Sequence, residues 1–212
     1  MKSPLDWLRE DPPSRSQYKE YVMTKITSYY ERELRDDASE NSCMQFLHVK
    51  MTGLRGRHHP AIANIRTVEE VAKLRPHMKM LCGNLLTYGQ KFEQSGLGSP
   101  HCRLFDSSHE SISHIVALCP QFEDIRKNIL NEFDEVLRES KNKVKIKDFQ
   151  HSDEILKQFI LDPTSMNMAQ RIHLNDPIVE KLFKLSRDIC FSINKKRVRL
   201  LKEKFDKISK TK

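Results

Sequence analysis

Asp176-Pro-Ile-Val-Glu-Lys-Leu-Phe-Lys-Leu-Ser-Arg-Asp-Ile-Cys-Phe-Ser-Ile193 is the stretch that settles the class of fold. Ile178, Leu182, Leu185, Ile189 and Ile193 recur every three or four residues, the period of one helix face and not the alternation of a strand. Asp176-Pro177 reads as a helix start, because the first turn leaves its N–H groups unbonded and proline loses nothing there. The stripe continues less regularly through Leu200, Leu201, Phe205 and Ile208, so this helix is expected to be the longest and its end to project.

The same period recurs upstream. Over residues 17–36, behind a cap at Ser14 or Ser16, Tyr18, Tyr21, Val22, Ile26, Tyr29, Tyr30 and Leu34 form one stripe, expected to be core and not a surface on which bases stack. Thr67, with Glu69 and Glu70 in the first turn, caps a short helix over 67–74 that Pro76 is expected to end. A further helix carries Met78, Leu81, Leu85 and Leu86 towards Tyr88. Pro120 opens a helix over about 121–140 with Phe122, Ile125, Ile129, Phe133, Val136 and Leu137 on one face, and Ser152 opens another that Asp162-Pro163 stops. A first turn between Ser3-Pro4 and Pro12-Pro13, a loop at Gly53-Leu-Arg-Gly-Arg-His-His-Pro60 and a polar link over 141–147 join these pieces. The expectation is an all-α, irregular multi-helix protein of seven or so helices. It divides into an N-terminal helical region 1–97, a degenerate zinc-knuckle segment 98–120, a C-terminal helical region 121–194 and a basic helical tail 195–212.

Charge is concentrated in that tail. The chain of 212 residues carries a net +8, and residues 195–212 hold nine basic side chains against two acidic, +7 of it. Clustered cations meet a phosphate backbone by releasing condensed counterions, without sequence choice. The candidate contacts to RNA or DNA are Lys195, Lys196, Arg197, Arg199, Lys202 and Lys204, with Arg55 and Arg57 in the glycine-rich loop beside His58 and His59. The plain alternative is a solvated helix end that favours the macrodipole or docks on the body. A chain ending at Asn194 is expected to keep its fold and lose its attraction for nucleic acid. Lys196-Arg197-Val198-Arg199 also suits a nuclear address.

Other function classes lack their signals. No apolar run nears the roughly 18 residues of a membrane span, and no P-loop, G-x-G-x-x-G or G-x-S-x-G stands in the chain. No small-molecule substrate is implied. Five cysteines, an odd number spread from Cys43 to Cys190, make no disulfide framework, and no signal peptide precedes them. A reducing, intracellular setting, nucleus or cytoplasm, is expected.

The residues that carry chemistry lie in His101-Cys-Arg-Leu-Phe-Asp-Ser-Ser-His-Glu-Ser-Ile-Ser-His-Ile-Val-Ala-Leu-Cys119. Cys102, His114 and Cys119 have the spacing of three arms of a zinc knuckle, in which a tight turn supplies two ligands and a following helical turn two more. Phe105 stands where the second cysteine belongs, and an apolar ring cannot replace a thiolate. A closed site then recruits His109, His101 or water, with His109 the better placed of the two histidines. The alternative is that the three are ordinary core residues.

The blocks around this segment resemble the region after the polymerase domain in reverse transcriptases of non-LTR retrotransposons. Met78-Lys-Met-Leu-Cys-Gly-Asn-Leu-Leu-Thr-Tyr-Gly-Gln-Lys-Phe92 precedes the knuckle, and Glu110, His114, Cys119, Pro120, Ile125 and Arg126 fall on the family's Glu-x-x-x-His-x4-Cys-Pro and Ile-Arg positions. The opening block Ser3-Pro-Leu-Asp-Trp-Leu8 and the late block Leu182-Phe-Lys-Leu-Ser-Arg-Asp-Ile-Cys190 are similar to that tail's flanks. The resemblance implies an accessory nucleic-acid-binding module and no enzyme. The only Asp-Asp, Asp36-Asp37, follows Arg32-Glu-Leu-Arg35 in a charged helical stretch, where a polymerase needs paired carboxylates on a hairpin.

Overall fold

The computed structural model describes residues 14–40, 46, 59–62, 65–105, 108–139, 152–165 and 176–210. The expected turn at residues 3–13, the loop residues Arg55, Arg57 and His58, and the link over 141–147 lie outside them. The protein is all-α. Its helices are α1 (Arg15–Glu40), α2 (Val68–Leu81), α3 (Tyr88–Ser95), α4 (Glu123–Glu139), α5 (Asp153–Leu161) and α6 (Asp176–Lys210), with a π-helical turn at His114–Leu118 and a 3-10 turn at Pro120–Phe122. No strand occurs among the described residues, and none of the described helices is long and apolar enough to cross a membrane.

The first half of α6 is the spine. Leu182, Phe183, Ile189, Cys190 and Ile193 are fully buried, and α2 and α4 pack along them. Met80 and Leu81 from α2, Phe133 and Leu137 from α4, and Phe159 and Ile160 from α5 complete one core, to which Cys102, Ile115, Val116, Cys119 and Phe122 of the intervening segment also belong. Phe133 and Phe159 meet with ring centroids 5.1 Å apart. Residues on both sides of the knuckle therefore share a single apolar interior.

Two expectations from the sequence are corrected here. Pro76 does not end a helix at residue 74; it lies buried inside α2. Proline removes one backbone hydrogen bond, but Pro76, His77, Met80 and Leu81 are all buried, and the His77 ring is bonded to the Leu161 carbonyl at 2.8 Å, which keeps the turn in register. The true stop is Gly83, in the left-handed region at φ 71°. Gly83 N–H donates to Met80 O at 3.1 Å and Asn84 N–H to Lys79 O at 2.7 Å, closing the last carbonyls. The next helix starts at Tyr88, not Met78: Thr87 and Gln90 cap each other's N–H groups, and Gly96 at φ 65° ends it.

The second correction is α1. Its Ser14 cap forms, with Gln17 N–H donating to Ser14 Oγ at 3.3 Å and Ser14 N–H to Gln17 Oε1 at 2.9 Å. Its stripe, however, is not core: Tyr18, Ile26, Tyr29 and Tyr30 are each about half exposed, and no residue of α1 joins the described core. What organises the helix is local, such as the edge-to-face contact of Tyr29 with Tyr30 and the cations of Lys25 and Arg32 over the Tyr21 and Tyr29 rings. Periodicity makes a helix amphipathic, and only a partner surface makes its apolar face core.

Candidate metal centre

Two local devices bring the site together. The first is a turn at Cys102. Cys102 N–H donates to Ser108 O at 2.8 Å, Glu110 N–H to Pro100 O at 2.8 Å and Phe105 N–H to Cys102 O at 3.2 Å, so the chain doubles back on itself. His101 and His109 face each other across this as an isolated antiparallel bridge. The Leu104 N–H reaches the Cys102 sulfur, which favours its thiolate.

The second device is the π turn. Five residues along an ordinary α-helix, at 3.6 per turn, two side chains point about 140° apart. Cys119 N–H instead donates to His114 O at 2.6 Å, an i to i+5 bond, and the wider turn returns His114 and Cys119 to the same side. The Gln121 N–H then reaches the Cys119 sulfur as Leu104 does that of Cys102.

Donor atoms of Cys102, His114 and Cys119 consequently lie within 4.8 Å of one another, and the residues are only 1%, 4% and 0% exposed. The two thiols are hydrogen-bonded. That bond, with burial, pushes Cys102 up to about 12, and as its acceptor Cys119 is held down to about 7. His114 Nε2 is buried with no hydrogen-bond partner. A buried nitrogen without a partner is costly unless something binds it, so two cysteine sulfurs converge on an imidazole whose Nε2 is unspent. The group can hold a metal ion.

The fourth position differs from expectation. His109 is not among the converging donors: its side chain is 49% exposed, its Nε2 stands 3.6 Å from the Glu93 carboxylate, and its ring lies over Gly89. His101 is exposed, tied by its backbone to Ser99 Oγ at 3.3 Å. The antiparallel bridge explains both, because it aligns their backbones along the rim of the turn and not towards its centre. Phe105 is 40% exposed.

Around the site stand residues that the sequence flagged only by resemblance. Glu110, 1% exposed, accepts Tyr88 N–H at 3.0 Å at the start of α3 and Arg197 Nη2 at 2.6 Å from α6. Arg126, equally buried, donates from Nη2 to Cys119 O at 2.7 Å and to Glu123. They pin the segment 101–119 to three helices.

That assignment changes the reading of the basic tail. Arg197 is buried in its ion pair with Glu110, Lys196 bonds the Asp124 carboxylate at 2.7 and 2.9 Å, and Lys204 Nζ donates to Arg103 O at 2.6 Å. Arg197 ties α6 to Glu110 internally, while Lys196 and Lys204 make surface contacts to Asp124 of α4 and to Arg103. Lys195, Arg199 and Lys202 are exposed on the other side of α6, Arg199 3.7 Å from Glu203. His59 likewise is buried, 3.7 Å from Asp162, and Arg55 and Arg57 lie outside the described residues. Compared with models of protein families, with curated proteins and with solved structures, the chain matches none.

Proposed function

We propose that the chain is a non-catalytic accessory module, similar to the tail of a non-LTR retrotransposon reverse transcriptase, that binds zinc at Cys102, His114 and Cys119 and holds RNA or DNA backbone along the exposed face of α6. The convergence of the three donors carries the reading. Zinc prefers nitrogen and sulfur donors at about 2.0 to 2.3 Å, and two thiolates with one imidazole are such a set. Lys195, Arg199 and Lys202, at i, i+4 and i+7, supply three positive charges on one helix face. Native mass spectrometry of the intact protein is expected to show one zinc per chain, lost in Cys102→Ser and in His114→Ala. Changing Lys195, Arg199 and Lys202 together to Gln is expected to reduce the log-log salt slope of duplex binding by about 2.7, the share of three neutralised phosphates. An unchanged slope sinks the nucleic-acid half of the proposal; absence of zinc sinks the other.

A second reading, a helical interaction module with no nucleic-acid role, is favoured by the pairing of Lys196, Arg197 and Lys204 with Asp124, Glu110 and Arg103 of the same chain. It requires that the full chain pass through heparin and RNA columns at low salt without retention.

A further inference from the structure

We infer that a cation held by Cys102, His114 and Cys119 keeps one coordination position that no side chain among the described residues fills, and that the position takes water exchangeable for a small monodentate anion. The inference rests on the metal-binding reading above and specifies what that site would accept.

Three observations carry it. The converging set among the described residues has three members and not four. Tetrahedral coordination with bonds of about 2.0 to 2.3 Å places donors roughly 3.3 to 3.8 Å apart, so three atoms already within 4.8 Å need little movement to occupy three vertices. In the sequence spacing the fourth arm is Phe105, which has no donor atom on its side chain and is 40% exposed.

The histidines that might close the site are held elsewhere. His109 would have to leave Gly89 and Glu93, and its backbone is fixed by the bridge to His101 and by Cys102 N–H bonding to Ser108 O. Glu110, the nearest buried carboxylate in sequence, is tied through Oε1 to Tyr88 N–H and Arg197; its Oε2 is buried without a partner, but the residue is not among the donors that converge within 4.8 Å.

Charge indicates which exogenous donor suits. Two thiolates cancel a divalent cation, so the loaded centre is neutral, where the four-ligand knuckle with three cysteines and one histidine would carry one negative charge. One small anion therefore restores the charge that Phe105 removed. Arg126 is a buried cation beside a ligand: the residue is 3% exposed, its Nη2 donates to the Cys119 carbonyl, and its Nη1 has no hydrogen-bond partner. An unpaired N–H on a buried cation gains from an acceptor.

The test uses the full chain loaded with cobalt(II), whose visible bands report coordination number and donor type, and titrated with sodium azide. One bound cobalt with sulfur-to-metal charge-transfer bands, and ligand-field bands that shift saturably with azide, is the expected result. In Phe105→Cys the response to azide should disappear, because a third thiolate closes the site. In His109→Ala it should persist unchanged. Cobalt bound with bands that ignore azide overturns the inference and leaves the metal reading standing; bands altered by His109→Ala overturn it in favour of a closed site. If no cobalt binds, the metal reading fails and this inference with it.

Discussion

Glu110 is the buried carboxylate that ties the segment 101–119 to its neighbours, since one of its oxygens joins the first turn of α3 to Arg197 of α6. Removing one partner of a buried ion pair strands the other in low dielectric. Glu110→Ala is therefore expected to cost about 3 to 5 kcal/mol in urea unfolding, and adding Arg197→Met should recover part of the loss. Equal stability of Glu110→Ala and the native chain contradicts the structural role given to this pair. Gly89 tests the same corner from the other side. A Cβ there would lie 2.3 Å from His109 Cε1 and 2.6 Å from the Glu110 carbonyl oxygen. The ring can swing aside, but the backbone oxygen cannot, so Gly89→Ala is expected to destabilise by about 2 kcal/mol through overpacking. A thermal melt of that single variant decides it. Cys102, His114 and Cys119 were legible as a set from spacing alone. The roles of Glu110 and Arg126 were not, because each acts through residues 7 to 87 positions away.

At the scale of elements, α2, α4 and α5 test whether the core and the metal centre are separable. Phe133 of α4 is fully buried against Phe159 of α5. Phe133→Ala should cost about 3 to 5 kcal/mol by leaving a cavity, while the folded fraction keeps its metal content, since neither ring is a donor. Loss of metal from a still folded variant would show that the knuckle has no independent geometry. His77 of α2 makes folding pH-dependent. Burial holds it down to about 4 from 6.5, so between those values the unfolded chain takes up a proton that the folded chain does not. Stability from this group is complete above about 6.5 and falls as the pH drops towards 4, by up to about 3 kcal/mol. Denaturant titrations at pH 7 and pH 4.5 should differ less in His77→Gln than in the native chain; an identical difference would exclude His77 as a source of the slope. Caps were readable at this scale: Ser14, Thr67 and Ser152 each cap the helix they precede. The Thr87-x-x-Gln90 pair carried the same signal for α3 but was hidden inside an apolar run read as one helix.

For the whole molecule, the decisive feature is that α6, 35 residues and about 52 Å long, begins as core and ends as a clamp. A chain ending at Asn194 loses more than cations, because Arg197 leaves Glu110 unpaired and Lys196 and Lys204 no longer hold Asp124 and Arg103. Truncation is therefore expected to lower the melting temperature by about 6 to 12 °C, the equivalent of roughly 3 kcal/mol at this size. The Gln variant of Lys195, Arg199 and Lys202 should melt within about 2 °C of the native chain, as surface substitutions usually do. Comparable melting of the truncated and full chains would return all nine basic residues of the tail to the surface. By itself the sequence determined that the protein is helical, where most helices begin, and that Cys102, His114 and Cys119 share a knuckle's spacing, because periodicity, caps and ligand spacing are local properties of neighbouring residues. Tertiary structure alone decided that the described residues of α1 stay out of the core, that Pro76 is carried inside a helix, that His109 is not among the converging donors, and that Arg197 of the α6 tail is internal. Each of these depends on which surface arrives opposite a residue, and that is set by packing between segments far apart in the chain.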